Sequence, residues 1–151
     1  MTPLIVGLGN PNRGDDAAGL LVARQLSALG LPAREFRGDG LALLDELAGA
    51  RDAILIDAVV TGAPPGTVQV WQGDSAAEVA LSSPACSTHA FGAGETLRLG
   101  RVLGRLPARL FVVGIEAESF QPGEPPSPAA QRGIVEATPL VVRLAADAIS
   151  G

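Results

Sequence analysis

The chain has 151 residues, 47% of them apolar and 18% charged, with 16 acidic side chains against 11 basic ones and a formal net charge of −5. That length suits one compact domain burying about two-thirds of its unfolded surface, and a pI of about 4.7 excludes nucleic-acid binding through a basic surface. The mean hydropathy of +0.31 is no membrane signal, because apolar runs such as 53–56 and 110–115 fall far short of the roughly 20 residues that span a bilayer.

Leu4 to Leu8 is a short apolar run closing on Gly7 and Gly9, the pattern of a buried strand feeding a turn. Asp15 or Asp16 can then cap a helix running to about residue 29. Gly30 stands just past its end, and Val22, Leu26 and Leu29 form its apolar face. A second strand is expected over 33–37 and a second helix over 41–47. The unbroken apolar run 53–59 predicts a third strand covered on both faces. Gly62-Ala63-Pro64-Pro65-Gly66 makes a turn, after which 67–71 returns as a short antiparallel strand.

Helical spacing predicts a helix over 90–103 with Leu99, Val102, Leu103 and Leu106 facing the core, followed by a buried strand over 110–115. A Pro/Gly-rich loop fills 118–126. Ser127-Pro128 fits the N-cap and first turn of a last helix that should kink or break near Pro139 and run towards Ile149. This alternation predicts an α/β fold, a single three-layer sandwich whose mostly parallel, five-stranded twisted sheet carries helices on both faces, in one domain over 1–151. Open sheets of that kind bind ligands beyond the carboxyl ends of their strands, here just after Leu8, Ile56 and Ile115.

Composition restricts the chemistry available at that edge. A single cysteine, Cys86, excludes an internal disulfide. A single histidine, His89, must carry any imidazole chemistry. Every basic residue is arginine, which excludes a lysine Schiff base, a catalytic lysine and the Gly-Lys of a phosphate-binding loop. No basic region precedes a long apolar stretch at the N-terminus, so the cytoplasm is the expected compartment.

Asp15 and Asp16 follow the first strand, where a carboxylate also serves as a helix cap favoured by the helix dipole. Asp57 ends an apolar strand, where an acid needs partners or a metal to offset its desolvation. His89, in Ser87-Thr88-His89-Ala90-Phe91, stands at or just before a helix start, and alone it reads as structural. Together, two carboxylates and a neutral imidazole on one sheet edge make a partial shell for a divalent metal. Mixed oxygen and nitrogen ligands with open positions suit nickel, zinc or manganese rather than a closed thiolate site. Cys86, three residues ahead of His89, reads as a small apolar residue, and Arg98, Arg101 and Arg105 read as a solvated helix face.

Gly7-Leu8-Gly9 begins like a dinucleotide fingerprint, but Asn12 stands where the third glycine belongs. Leu4-Ile5-Val6-Gly7-Leu8-Gly9-Asn10-Pro11 is similar to the opening of bacterial peptidyl-tRNA hydrolase. That family needs a histidine shortly afterwards, and Arg13-Gly14-Asp15-Asp16 follows here instead. Over nearly its whole length the chain resembles the hydrogenase maturation endopeptidase family. The resemblance rests on Val6-Gly7-Leu8-Gly9-Asn10, Gly14-Asp15-Asp16, Leu55-Ile56-Asp57-Ala58, Ser87-Thr88-His89, Val113-Gly114-Ile115-Glu116 and Gly123-Glu124-Pro125-Pro126-Ser127-Pro128, in that order.

The resemblance implies an endopeptidase that removes the C-terminal tail of the nickel–iron hydrogenase large-subunit precursor after nickel insertion. Asp16, Asp57 and His89 become its metal-binding and catalytic positions, and the nickel is borne by the substrate. Zinc or cadmium can occupy such a site in vitro. The precursor is the expected partner of a monomeric chain, with neither nucleic acid nor membrane involved. The chain departs from the family pattern in having Asp16 where glutamate is frequent, Ala17 for a common glycine and Pro126 for the usual leucine; Glu35 is similar to an acidic position after the family's second strand. The competing readings are a non-enzymatic metal-binding maturation chaperone using the same shell and, behind it, peptidyl-tRNA hydrolase.

Overall fold

In a computed structural model of the chain, which describes residues 2–37, 40–73 and 93–150, the apolar runs become strands. These are β1 (Leu4–Leu8), β2 (Arg34–Phe36), β3 (Asp52–Val59), β4 (Val68–Gln72) and β5 (Arg109–Glu116). They form one sheet in the order β2-β1-β3-β5-β4, parallel throughout except for the antiparallel edge pair β4 and β5. The expected mostly parallel five-stranded sheet is therefore the sheet that forms. Its central strands are buried on both faces, which is why they read as continuous rather than alternating apolar runs.

Side-chain alternation along each strand divides the core in two. Ile5, Ile54, Ile56, Ala58, Val113 and Ile115 face a layer made by helices α1 (Ala18–Ala28) and α4 (Pro128–Ser150), which contribute Val22, Leu26, Ile134 and Val141. Val6, Leu8, Ala53, Leu55, Leu110 and Val112 face the other layer, made by α2 (Gly40–Leu47) and α3 (Ala93–Val102) through Leu43, Leu47 and Leu97. Each large apolar side chain buried this way contributes roughly 1.5–3 kcal/mol. No helix among the described residues is long and apolar enough to cross a membrane.

At the amino ends of the strands, Asp52 and Arg109 form a two-bonded pair, Nε to Oδ1 at 2.8 Å and an Nη to Oδ2 at 3.2 Å. The same guanidinium donates to the Ala148 carbonyl at 2.9 Å, which ties the last turn of α4 to the sheet. Arg109 holds the Asp52 carboxyl below the usual carboxylate range.

Several local expectations are corrected. Neither aspartate caps α1: its N-cap is Ala17, with no side-chain capping bond, and a 3-10 turn over Gly14–Ala17 precedes it. The helix does end as expected, since the N–H groups of Gly30 and Leu31 bond back to the Ser27 and Leu26 carbonyls. Leu29 is 68% exposed because it lies past the last helical residue, where the chain turns away from the core. In α3 the inward positions are Thr96, Leu97 and Gly100, whereas Val102 is 75% and Leu103 53% exposed. Gly100 explains the shift in phase: an added Cβ would lie 2.6 Å from Leu106 and 2.9 Å from Leu44, so the helix is seated on its glycine face. Ser127 caps α4 as predicted, accepting the Ala130 N–H at 3.2 Å, with Pro128 as the first helical residue. Pro139 does not break this helix. The N–H it lacks would have bonded the carbonyl of Val135, a residue 67% exposed, where water can serve instead.

One contact sets the position of the whole first crossover. A Cβ on Gly19, in the first turn of α1, would overlap the carbonyl oxygens of Leu8 and Ile56; a Cβ on Gly7 would overlap the Gly19 carbonyl. Helix and sheet touch backbone to backbone there. Gly19→Ala therefore lowers the melting temperature despite the better helix propensity of alanine. Overpacking of this kind costs about 1–3 kcal/mol, at roughly 2–4 °C per kcal/mol for a chain of this size. Thermal denaturation checks this, and an unchanged or higher melting temperature would contradict the contact.

Candidate functional site

The parallel order of β1, β3 and β5 puts their carboxyl ends on one rim, the edge where the fold directs ligands. After β1 the chain turns sharply. Gly9 has φ of 148°, and a Cβ there would overlap the Asp16 carbonyl oxygen. The Asn10 N–H bonds that same carbonyl at 3.2 Å, and the Asp16 N–H bonds Arg13 O at 3.0 Å. Asp16 is thus clamped by its own backbone at the carboxyl end of β1, only 5% exposed.

Asp57 is the one residue of β3 that is not fully buried. By strand alternation it points to the α2/α3 side of the sheet, and its register partner is Gly114, which carries no side chain to oppose it. Trp71 fills the space instead, 2.7 Å from where a Gly114 Cβ would be. The Ala58 N–H bonds Asp57 Oδ1 at 2.8 Å. Burial pushes the Asp57 carboxyl well above the usual aspartate range, the negative charge of Asp16 pushes it further, and the Ala58 N–H offsets a part. Asp16 and Asp57 therefore face each other closely enough to repel.

Two of the three expected ligands are brought together; the third, His89, and with it Cys86, lies outside the described residues. Among the described residues no group of three potential metal ligands forms, so a complete shell needs a donor beyond this pair. Two carboxyl groups held against each other offer the oxygen donors that suit a divalent cation, whose charge would favour ionisation of both. Glu35 takes no part: it lies on the surface, paired with Arg24 at 3.0 Å and Arg37 at 3.4 Å.

Two further buried carboxylates stand at this rim. Asp15, 1% exposed, takes four donors: Glu118 N, Ser119 N and Ser127 Oγ on Oδ2, and Ser127 N on Oδ1. Glu116, 2% exposed at the end of β5, accepts the Thr61 N–H at 2.9 Å and the Thr61 hydroxyl, which closes the 60–67 connection over the strand end. Neither role follows from the sequence pattern alone. Glu116 carries the same signal as Asp57, an acid ending a buried apolar strand, whereas the partners of Asp15 lie about a hundred residues away and leave no local signal.

A family model described as hydrogenase maturation protease (HycI) matches residues 38–144, more than two-thirds of the chain. The chain belongs to the hydrogenase maturation protease family. Among solved structures it is similar to the [NiFe] hydrogenase maturation protease HybD from Thermococcus kodakarensis, with a TM-score of 0.77, 30% identity, and coverage of 96% of this chain and 99% of that one. HybD from E. coli shares the fold at a TM-score of 0.82 and 24% identity, covering 98% of this chain and 94% of that one. The hydrogenase expression/formation protein HoxM from Cupriavidus necator is 29% identical over 82 residues, 54% of this chain and 40% of HoxM. The chain spans about half, or less, of the length of the first curated relatives it matches. With this family assigned, the peptidyl-tRNA hydrolase reading has no support left.

The repulsion at Asp57 has a measurable consequence in metal-free protein. A carboxyl whose pKa is raised on folding holds its proton longer in the folded state than in the unfolded one, so its contribution is favourable in acid and is lost as pH rises through the folded-state value. Asp57→Asn removes the charge and keeps the oxygen that accepts the Ala58 N–H. With chelator present, the variant melts above the parent chain at neutral pH. The difference closes below the usual aspartate range. A variant no more stable than the parent at neutral pH would contradict the crowding of Asp16 and Asp57.

Proposed function

We propose that this chain is an endopeptidase that removes the C-terminal tail of the nickel–iron hydrogenase large-subunit precursor once nickel has been inserted. The observation that carries the reading is the pair of repelling carboxylates, Asp16 and Asp57, held on the ligand-binding rim of a hydrogenase maturation protease fold. Nickel in this reading is part of the substrate. Asp57 Oδ1 is occupied by the Ala58 N–H, which leaves Oδ2 to meet the cation, alongside the Asp16 carboxylate and the His89 imidazole. Burial makes this pair unfavourable without a counter-charge, so a precursor that lacks nickel gains little from docking there.

Engagement of the precursor's own metal centre brings the peptide bond next to these carboxylates, one of which accepts a proton from water as the water oxygen adds to the carbonyl carbon. The carbon–nitrogen bond then breaks and the leaving amine takes up a proton. The chain carries no HExxH or GxSxG motif to supply another route. The strand ends fix Asp57, and the backbone clamp at Gly9 and Asn10 fixes Asp16, so the precursor meets a preformed pair.

Incubation with purified precursor, read by release of the tail peptide, tests the reading. Nickel-loaded precursor is cleaved and nickel-free precursor is not. Asp16→Asn, Asp57→Asn and His89→Ala each abolish cleavage while the proteins stay folded. Full cleavage by any of the three removes that residue from the site, and equal cleavage with and without nickel removes nickel recognition. A metal-binding chaperone would instead shift the mobility of the precursor and release nothing.

A further inference from the structure

We propose that Asp15 is a positioning residue, holding the 118–127 loop against the 3-10 turn so that Asp16 stays opposed to Asp57; the inference rests on the function proposed above. Asp15 and Asp16 are neighbours with opposite employment. Both oxygens of Asp15 are taken: Oδ2 lies 2.7 Å from Glu118 N, 3.2 Å from Ser119 N and 2.9 Å from Ser127 Oγ, and Oδ1 lies 2.6 Å from Ser127 N. Four donors, three of them on Oδ2, give this carboxylate a structural employment, unlike the metal-facing role proposed for Asp16.

What it does is join two stretches of chain more than a hundred residues apart. Around it, Asp15 N donates to Ser119 O at 2.9 Å, Gly14 N to Glu124 O at 3.0 Å, and Gly123 N to Asn12 O at 2.7 Å. The seam leaves no slack, since a Cβ on Gly14 would lie 2.8 Å from Ser119 O. No guanidinium or other cation balances the Asp15 charge among the described residues. Oriented N–H and O–H groups alone compensate it, and these act only while the loop is in place. Loss of the loop would unfasten the 12–15 stretch that leads directly into Asp16, which accepts from the Asn10 N–H and donates to the Arg13 carbonyl. The carboxylate of Ser127's partner thus links the cap of α4 to the geometry of the metal-facing acid.

The test compares three variants. Asp15→Asn keeps the size of the side chain but turns an NH2 towards N–H donors. Ser127→Ala removes one donor and leaves the three backbone N–H groups. Thr138→Val weakens α4 from within, where the hydroxyl meets Gln25 Oε1 at 2.7 Å, away from the rim. The readouts are kcat and KM for tail removal from nickel-loaded precursor, the Kd for zinc ion alone by calorimetry, and the melting temperature.

Asp15→Asn is expected to lower kcat and zinc affinity about 10- to 100-fold, the usual effect of an outer-shell substitution, with KM for the precursor changed less than about threefold. Ser127→Ala moves kcat and zinc affinity the same way by a smaller factor. Thr138→Val lowers the melting temperature alone. Wild-type kcat and zinc Kd in either rim variant, folded at the assay temperature, would overturn the inference, as would an equal loss in Thr138→Val. If Asp15→Asn does not fold, Ser127→Ala decides by itself. If the parent chain releases no tail, the proposed function fails, and the order of zinc affinities still decides the role of Asp15.

Discussion

Helix α1 lies on the sheet at a separation that only Gly7 and Gly19 allow, and the position of Asp16 follows from that separation. Backbone meets backbone where Gly19 reaches the carbonyls of Leu8, the last residue of β1, and of Ile56 within β3. Three residues upstream, the 3-10 turn has no choice but to pass over the ends of those strands, and Gly9 admits the Asp16 carbonyl where any Cβ would exclude it. A helix seated farther out would carry Asp16 away from Asp57, and the rim would hold two separate acids instead of an opposed pair.

The rest of the molecule treats its buried carboxylates differently. Asp52 is matched to Arg109 by two bonds, Asp15 is saturated by four donors, and Glu116 is closed by Thr61. Among the described residues, Asp57 receives one backbone N–H and has a like charge beside it. Crowding of this kind, beside other described carboxylates that are matched by donors, is the pattern that binding sites carry, and it supports the role proposed for this pair. The sign of the crowded charges is informative as well: two negative charges favour a cation, and they do so most strongly where water is scarce.

Much of the fold could be read from the sequence because it rests on local patterns. Continuous apolar runs mark parallel strands buried on both sides, the two prolines and two glycines of 62–66 mark the turn into the antiparallel edge strand, and Ser127-Pro128 marks the start of α4. The failures are also physical. Leu29, Val102 and Leu103 fit a helical stripe in sequence, but the glycine at 100 turns α3 about its axis and α1 ends one residue before Leu29. Asp15 and Asp16 look like interchangeable caps until tertiary contacts separate them, one towards residues 118–127 and one towards Asp57. Asp57 was legible because an acid at the end of an apolar strand is costly wherever it occurs. No local pattern predicts which two acids will repel, since that depends on how closely one helix packs.

The proposed function requires the rim to converge on one cation held by Asp16 and Asp57 with the imidazole of His89. Anomalous diffraction from crystals of the chain loaded with zinc, recorded at the zinc edge, tests it most directly. One strong peak is expected at the carboxyl ends of β1 and β3, with oxygens of both aspartates and a nitrogen of His89 at about 2.0–2.2 Å. A peak elsewhere, or a zinc ion on the rim that touches only one of the two carboxylates, would contradict it.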